Sequence, residues 1–409
     1  MLAALALAAF AHQRYAAAIR VELGVYFSTW WTAFAEADTY GAALDAYNFR
    51  RPPGYPTLLF AAHHAGFPIR FVNEVLLAVS VVAFHSLARR TLRHVDAAFP
   101  TALYAVLACH YVCYGQLVDE ALFVPLAILA MWALARDAEA PSIARAAEVG
   151  AWCSAACLVR TFALAWIVPV CGVALLVRGT ARLPRRLLRA AVFSAIVVVP
   201  TALLMLYVRS RTGFLTGMDR TAYETRPPIR NLETFAAQTG PVESTLRIVQ
   251  SYAVDFSSPR RTADLGTLAP PFTLRGQEVL FALLFVAGLA GLAACAVHGF
   301  RARRRDAAAS REAQAPDASR SVASLTALAA NVGLYFVAVV AIWTFGNNDP
   351  VYSRYVLPSY PFAILLATAI YDRSLGTDPP ARWRMAVRGL YVLVFAAQAA
   401  KGWAALRSA

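Results

Sequence analysis

The chain has 409 residues, of which 59% are hydrophobic and only 15% are charged, and its mean hydropathy is +0.52. Soluble proteins are nearer half apolar and a quarter charged, so this composition excludes an ordinary soluble enzyme and predicts a membrane protein. The net charge of +14 does not indicate nucleic-acid binding. The arginines cluster in short segments between apolar runs, as expected of cytoplasmic loops.

Apolar runs recur along the whole sequence, and a membrane-spanning helix needs roughly 20 mostly apolar residues. The pattern predicts an all-α polytopic membrane helical bundle, with residues 1–409 as a single integral membrane domain of about 11 spans. The predicted spans are 2–19, 69–88, 98–115, 119–135, 147–159, 161–177, 187–208, 277–299, 322–344, 357–371 and 387–404. Residues 147–177 are either two short helices around Arg160 or one bent helix, and residues 54–66 predict a further half-buried helix.

The distribution of arginine predicts one orientation, with the N-terminus inside. The arginine-bearing cytoplasmic loops are 89–97, 136–146, 178–186, 300–321 and 372–386. The loop 300–321 is charged and alanine-rich, and we expect a flexible cytoplasmic linker. Three segments then face outside. They are the first outer loop 20–68, the long loop 209–276 and the short loop 345–356. The aromatic-rich stretch 21–34 predicts a helix lying at the membrane interface within the first outer loop.

The first outer loop carries the acids Glu36 and Asp38, followed by the stiff turn Arg51-Pro-Pro-Gly-Tyr55-Pro. A carboxylate at the bilayer surface can remove a proton from an acceptor hydroxyl as a general base, or bind a divalent cation through its oxygens. The alternative is a solvated loop acid without a chemical role. Because a rigid basic turn follows the two acids, the pattern favours chemistry on a charged lipid head group.

A second acidic pair, Asp119 and Glu120, opens the apolar run that follows residue 118. Acids in the first turn of a helix are favoured by the helix dipole, so helix capping is one interpretation. The other is a site at the mouth of the bundle, where Glu120 could reach a substrate hydroxyl or a metal ion.

Several arginines on the outer side are candidates for binding phosphate, because the planar guanidinium donates parallel hydrogen bonds to two oxygens. Arg160 stands between two apolar runs, and its alternatives are snorkelling to the interface or pairing with a distant acid. Arg354 has the polar neighbours Asp349 and Tyr352. Arg209 and Arg211 follow the seventh predicted span.

Other sequence features limit the remaining function classes. The pairs Cys109/Cys113 and Cys153/Cys157 have helical i, i+4 spacing, but small apolar side chains packing between helices explain them better than a metal or redox site. The chain contains no phosphate-cradling glycine loop, which argues against an ATP-driven pump. It also lacks a matched pair of Gly/Pro-broken helices, the usual indication of a transporter.

The sequence resembles the GT-C glycosyltransferases in the order of its landmarks. These are the early acids, the RPPGYP turn, the acids that open a later helix, Arg160 and the RYVLPSYP motif. The resemblance is to the bacterial branch of these enzymes, related to protein O-mannosyltransferases and to lipid A aminoarabinose transferases. It implies a GT-C-type bundle in which a sugar passes from a polyprenyl-phosphate carrier to an acceptor glycan, lipid or protein on the outer side of the membrane, with inversion.

The resemblance also implies roles for single residues. Asp38 matches the catalytic acid of the family's first loop, and Glu120 matches a second acid that supports the acceptor or, with Asp38, a divalent cation. Arg160 and Arg354 fall where the family has basic residues near the donor phosphate. This sequence departs from the family in one respect, because Ala37 separates Glu36 from Asp38 where many members have adjacent acids.

The expected location is a bacterial inner membrane, with the active site on the periplasmic side. Two other functions stay open. A surface-polysaccharide polymerase or ligase also has long outer loops and essential arginines. A transporter or flippase of lipid-linked sugars moves its substrate without bond cleavage and would have its polar residues at mid-bilayer depth.

Overall fold

The computed structural model describes most of the predicted bundle. It covers residues 32–47, 52–107, 110, 119–177, 183–213, 276–309, 325–338, 357–375 and 378–407. The predicted span 2–19, most of loop 209–276, and the candidate residues Arg51, Asp349, Tyr352 and Arg354 lie outside these ranges.

The regular secondary structure of the described residues is helical. The α-helices are α1 Tyr40–Ala46, α2 Gly54–His64, α3 Ile69–Thr91, α4 Ala98–Ala105, α5 Glu120–Glu139, α6 Ile143–Val159, α7 Ile167–Val177, α8 Leu183–Thr212, α9 Gly276–Ala309, α10 Leu325–Ala338, α11 Tyr360–Leu375 and α12 Ala381–Arg407. Two short 3₁₀ helices, Thr161–Ala165 and Leu357–Ser359, precede α7 and α11.

Three described helices are long and apolar enough to cross a membrane, namely Phe71–Thr91, Glu120–Glu139 and Leu183–Thr212. Shorter apolar helices occur at Thr161–Val177, Val286–His298 and Leu325–Ala338. The prediction of an all-α membrane helical bundle is therefore confirmed, whereas the number of spans stays a prediction.

Two helix boundaries add to the sequence prediction. One resolves the alternative left open at Arg160, and the other differs from the predicted end of a span. The segment 147–177 consists of two helices, because α6 ends before Arg160 and a 3₁₀ turn separates it from α7. Helix α9 continues to Ala309, so the first part of the predicted linker 300–321 is helical. Arginine and alanine, which dominate that part, are both good helix formers.

Helices α3 and α5 run parallel, which defines the two ends of the bundle. Arg90, at the end of α3, forms an ion pair with Glu139 at the end of α5, and the Trp132 indole donates to Ser86 Oγ at 2.9 Å. We call the two ends the Glu120 end and the Glu139 end. Helix α11 also runs between them, because its buried Asp372 accepts hydrogen bonds from the backbone N–H groups of the 93–95 turn that follows α3.

Among the described helices, α5 is the most buried, and it packs against both α3 and α6. Its alanines at 121, 127, 130 and 133 have no exposed surface. Small side chains of this kind allow helix backbones to approach closely, which is the main source of packing energy between helices in a membrane. Because α5 is packed along its length, the acidic residues at its start are held in a fixed position.

Candidate functional site

Asp119 and Glu120 lie at the start of α5 and are buried, with only 3% and 1% of their surface exposed. The Asp119 side chain makes no capping hydrogen bond to the first turn of α5. The capping interpretation therefore does not account for Asp119, although the helix dipole still favours both negative charges at this position.

Both carboxylates contact the guanidinium of Arg160. Its Nε lies 3.2 Å from Asp119 Oδ2, and its Nη1 donates to Glu120 Oε1 at 2.9 Å. Arg160 has extended backbone angles between α6 and the 3₁₀ turn, which allows its side chain to reach across to α5. The predicted alternative of pairing with a distant acid is the arrangement that the structure shows.

The RPPGYP turn packs against the same place. At Gly54, a Cβ atom would lie 2.5 Å from the carbonyl oxygen of Leu158, so only glycine allows α2 to approach the end of α6 this closely. The next residue, Tyr55, is fully buried and donates a hydrogen bond to Asn73 Oδ1 at 2.7 Å. Burial raises the pKa of Tyr55 above its ordinary value, and the negative charges of the two α5 acids raise it further, which keeps the phenol neutral.

The first outer loop rests on α2. Phe34 is buried and its ring makes edge contacts with those of Tyr40 and Phe60, while the Tyr40 hydroxyl shares a hydrogen bond with Thr57 Oγ1 at 2.9 Å. Asp38 lies between Phe34 and Tyr40, so the chain on both sides of it is anchored. Asp38 and Glu36 are themselves exposed.

The C-terminus of α8 also lies at the Glu120 end. Arg211 forms an ion pair with Asp45 of α1, and both side chains are substantially exposed. Arg209 is exposed as well. Of the residues predicted as site residues, the structure thus brings Asp119, Glu120, Arg160 and Tyr55 together. It places Glu36, Asp38, Arg209 and Arg211 on the neighbouring surface.

Aromatic side chains lie next to the Arg160 cluster. We call Phe123, Phe162, Trp166, Tyr335 and Phe362 the aromatic layer. The Arg160 guanidinium lies 5.8 Å from the centre of the Phe123 ring, and Trp166 contacts the other four rings. The Trp166 indole also donates to the backbone oxygen of Asn331 at 3.0 Å. The layer joins α5, α10 and α11 beneath the acids.

Asn73 and the aromatic layer were not predicted from the sequence. Asn73 could have been noticed because it is a polar residue inside an apolar run. A buried polar side chain of this kind usually has a hydrogen-bond partner. The rings of the layer come from four separate segments and share no local spacing pattern.

The acids were also considered as ligands of a divalent cation. In the described ranges, no three His, Cys, Asp or Glu side chains are grouped so that they could hold a metal ion. The position between the Asp119 and Glu120 carboxylates is taken by the cationic guanidinium of Arg160, which would repel a second cation. The binding of a cation by Asp38 and Glu120 stays a prediction.

Residues 56–204 match the family model described as dolichyl-phosphate-mannose-protein mannosyltransferase. The matched segment contains Asp119, Glu120 and Arg160, and begins directly after Tyr55. The match confirms the resemblance to GT-C glycosyltransferases and supports a membrane glycosyltransferase that uses a lipid-linked sugar. No curated protein shows significant similarity to the chain.

Proposed function

We propose that the protein transfers a sugar from a polyprenyl-phosphate carrier to an acceptor on the outer side of the membrane, with inversion at the anomeric carbon. The observation that carries the proposal is the cluster of Asp119, Glu120 and Arg160, which lies within the matched segment 56–204 at one end of the bundle. Charged groups are expensive at membrane depth and are retained there mainly for function.

The reaction needs a base and a cationic environment for the leaving group. The acceptor hydroxyl oxygen forms a bond to the anomeric carbon, and its proton passes to a carboxylate. The bond between the anomeric carbon and the phosphate oxygen breaks, and the phosphate leaves with that electron pair. Because a lipid phosphate is already a stable anion, it requires cations and hydrogen-bond donors more than an acid catalyst.

Asp38 is the proposed base, because an exposed carboxylate on an anchored loop can meet an incoming acceptor. Glu120 would orient the acceptor from below. Arg160 contacts both α5 acids, so we assign it to holding these carboxylates in place, and its contact with the donor phosphate stays a proposal. We also propose Arg354 and the exposed Arg209 as ligands of the donor phosphate. Asp349 and Tyr352 would support Arg354, and Arg51 is a further supporting residue.

The proposed side of the reaction follows from charge. The Glu139 end carries Arg89, Arg90, Arg136 and Arg145 in the terminal turns of its helices and Arg93 on the segment after α3. The positive-inside rule assigns this end to the cytoplasm. The Glu120 end is then outside, which in a bacterium is the periplasmic face of the inner membrane.

The test is Asp38→Asn in purified protein, supplied with labelled polyprenyl-phosphate mannose or aminoarabinose and with membranes as a source of acceptor. Loss of a general base lowers the rate by roughly 10²–10⁴-fold, so we expect label to stay on the carrier lipid. Asp45→Asn is the matched control, because Asp45 is an exposed acid of the same loop that contacts only the edge of the site through Arg211. Full transfer by a folded Asp38→Asn protein would remove Asp38 from this role.

The same assay separates the alternatives. A transporter or flippase would leave the bond between sugar and phosphate intact in detergent, whereas a transferase releases the free polyprenyl phosphate. A polymerase or ligase would consume only donors that carry an oligosaccharide.

A further inference from the structure

The Glu139 end contains an apolar cavity of about 650 Å³ between α4, α9, α11 and α12. Most of its lining is aliphatic, and along α11 it extends from Ala363 to Leu375. Twelve residues of helix rise about 18 Å, compared with about 15 Å for the hydrocarbon of one bilayer leaflet. The cavity is therefore long enough for one lipid chain to lie along α11.

Polar groups gather where this cavity reaches the Glu139 end. Arg388 belongs to the lining, and its Nε donates to the Tyr371 hydroxyl at 3.3 Å. His94 and Asp96 line the cavity at the same level. An apolar slot with a cationic side chain at one end has the form expected for an amphiphile with an anionic head group.

Among the described residues, the acids around this end have partners other than Arg388. The Asp372 carboxylate accepts hydrogen bonds from three backbone N–H groups of the 93–95 turn. Asp96 accepts one from the backbone N–H of Ala98, and Asp378 forms an ion pair with Arg384 at 2.6 Å. Each of these acids is already engaged inside the protein.

A second, polar cavity of about 300 Å³ adjoins the first. The two cavities share Val95 and Asp96, and the polar one adds Arg89 and His85. Arg89 is exposed. A head group next to Arg388 would thus have another cationic surface within reach. This side of the bundle is the one that the positive-inside rule assigns to the cytoplasm, where anionic lipids attract basic residues.

We propose that the apolar cavity binds an acyl chain of an anionic glycerophospholipid of the adjacent leaflet, with the lipid phosphate against Arg388. The polar mouth of this site, at Arg388, lies at the opposite end of the bundle from Glu120. Its occupant is a resident lipid, not the sugar donor, because the donor phosphate has to reach the Glu120 end. A second copy of the chain would present a convex helix, which does not fill a slot between four helices.

The test uses delipidated protein in detergent, titrated with phosphatidylglycerol or with phosphatidylcholine of the same acyl chains, and native mass spectrometry to count bound lipid. Arg388→Gln removes the charge, and Ala367→Phe fills the cavity. Arg382→Gln and Ala396→Phe are the matched controls on α12, outside the lining.

The unaltered protein is expected to retain one phosphatidylglycerol in preference to phosphatidylcholine. Arg388→Gln should weaken that binding about fivefold, since one basic residue near a membrane surface contributes about 1 kcal/mol. Ala367→Phe should abolish the tightest site, and both controls should bind as the unaltered protein does.

Two outcomes would overturn the proposal: equal retention of the two lipids, or unchanged phosphatidylglycerol binding by both cavity variants. If Ala367→Phe does not fold, the comparison of Arg388→Gln with Arg382→Gln decides alone.

Discussion

Arg160 is the residue on which the geometry of the site depends. Its guanidinium uses two different nitrogens to contact Asp119 and Glu120. A lysine ammonium is a single point charge and cannot reproduce this arrangement. Removing the arginine would leave two buried carboxylates next to each other at the start of α5, which is costly in a poorly hydrated environment.

We therefore expect Arg160→Ala to lower the free energy of unfolding by about 3–5 kcal/mol, the usual cost of breaking a buried ion pair from one side. Arg211→Ala is the control, because its exposed pair with Asp45 is worth about 1 kcal/mol or less. Denaturant unfolding in micelles compares the two. Equal losses would contradict the assignment of Arg160 to the buried cluster.

The sequence identified each member of this cluster but not the contacts between them. Asp119, Glu120 and Arg160 were each recognisable as candidates, because a charged side chain within an apolar run is energetically costly and usually functional. Glu120 and Arg160 are 40 positions apart in the sequence. They meet only because helix packing brings the end of α6 next to the start of α5. Tyr55 was found through the RPPGYP turn, but its partner Asn73 was not, because a lone asparagine does not indicate which residue it bonds.

At the level of elements, the contact between α2 and α6 connects the early turn to the acids. Gly54 allows α2 to lie against the backbone of Leu158, and Leu158 is two residues before Arg160. The position of Tyr55 relative to the carboxylates is thus set by how closely these two helices approach.

Gly54→Ala should push α2 away from α6 and destabilise the protein by about 1–3 kcal/mol, as overpacking does. Sugar transfer should fall together with stability, because the site is displaced. Gly41→Ala on α1 is the control. Its nearest neighbouring atom would be 4.0 Å from the new Cβ, so the change should be neutral or slightly stabilising. Thermal unfolding in detergent measures both variants, and equal behaviour would contradict a close α2–α6 contact.

Helix boundaries were predictable where apolar runs end sharply. The predicted spans 69–88 and 187–208 lie within α3 and α8, and the predicted span 119–135 begins one residue before α5. Each of the three helices extends beyond the predicted C-terminal boundary. Charged residues such as Arg90, Glu139 and Arg209 continue these helices beyond their apolar parts, because arginine and glutamate have high helix propensity. A hydrophobicity pattern alone does not predict these charged helix ends.

At the scale of the whole molecule, the composition was enough to predict an all-α membrane bundle. The arrangement of the helices was not predictable in the same way, since the parallel pairing of α3 with α5 depends on Arg90, Glu139 and the Trp132–Ser86 hydrogen bond. The orientation in the membrane stays a prediction from the charge distribution.

Cysteine labelling tests that orientation. Glu36→Cys should react with a membrane-impermeant maleimide added outside intact bacterial cells, and Asp378→Cys should react only after the membrane is opened. Both positions are exposed in the structure, whereas the described native cysteines are buried. The reverse pattern would place the Glu120 end in the cytoplasm.

The central claim is that the Glu120 end performs the transfer. Glu120→Gln keeps the shape of the side chain and leaves Asp119 to pair with Arg160, whereas Glu139→Gln makes the same change at the other end of the same helix. With the polyprenyl-phosphate sugar that the unaltered protein consumes, we expect single-turnover transfer to slow about 100-fold for Glu120→Gln, because the acceptor is no longer oriented, and to stay unchanged for Glu139→Gln. Equal rates in the two folded variants would contradict the account.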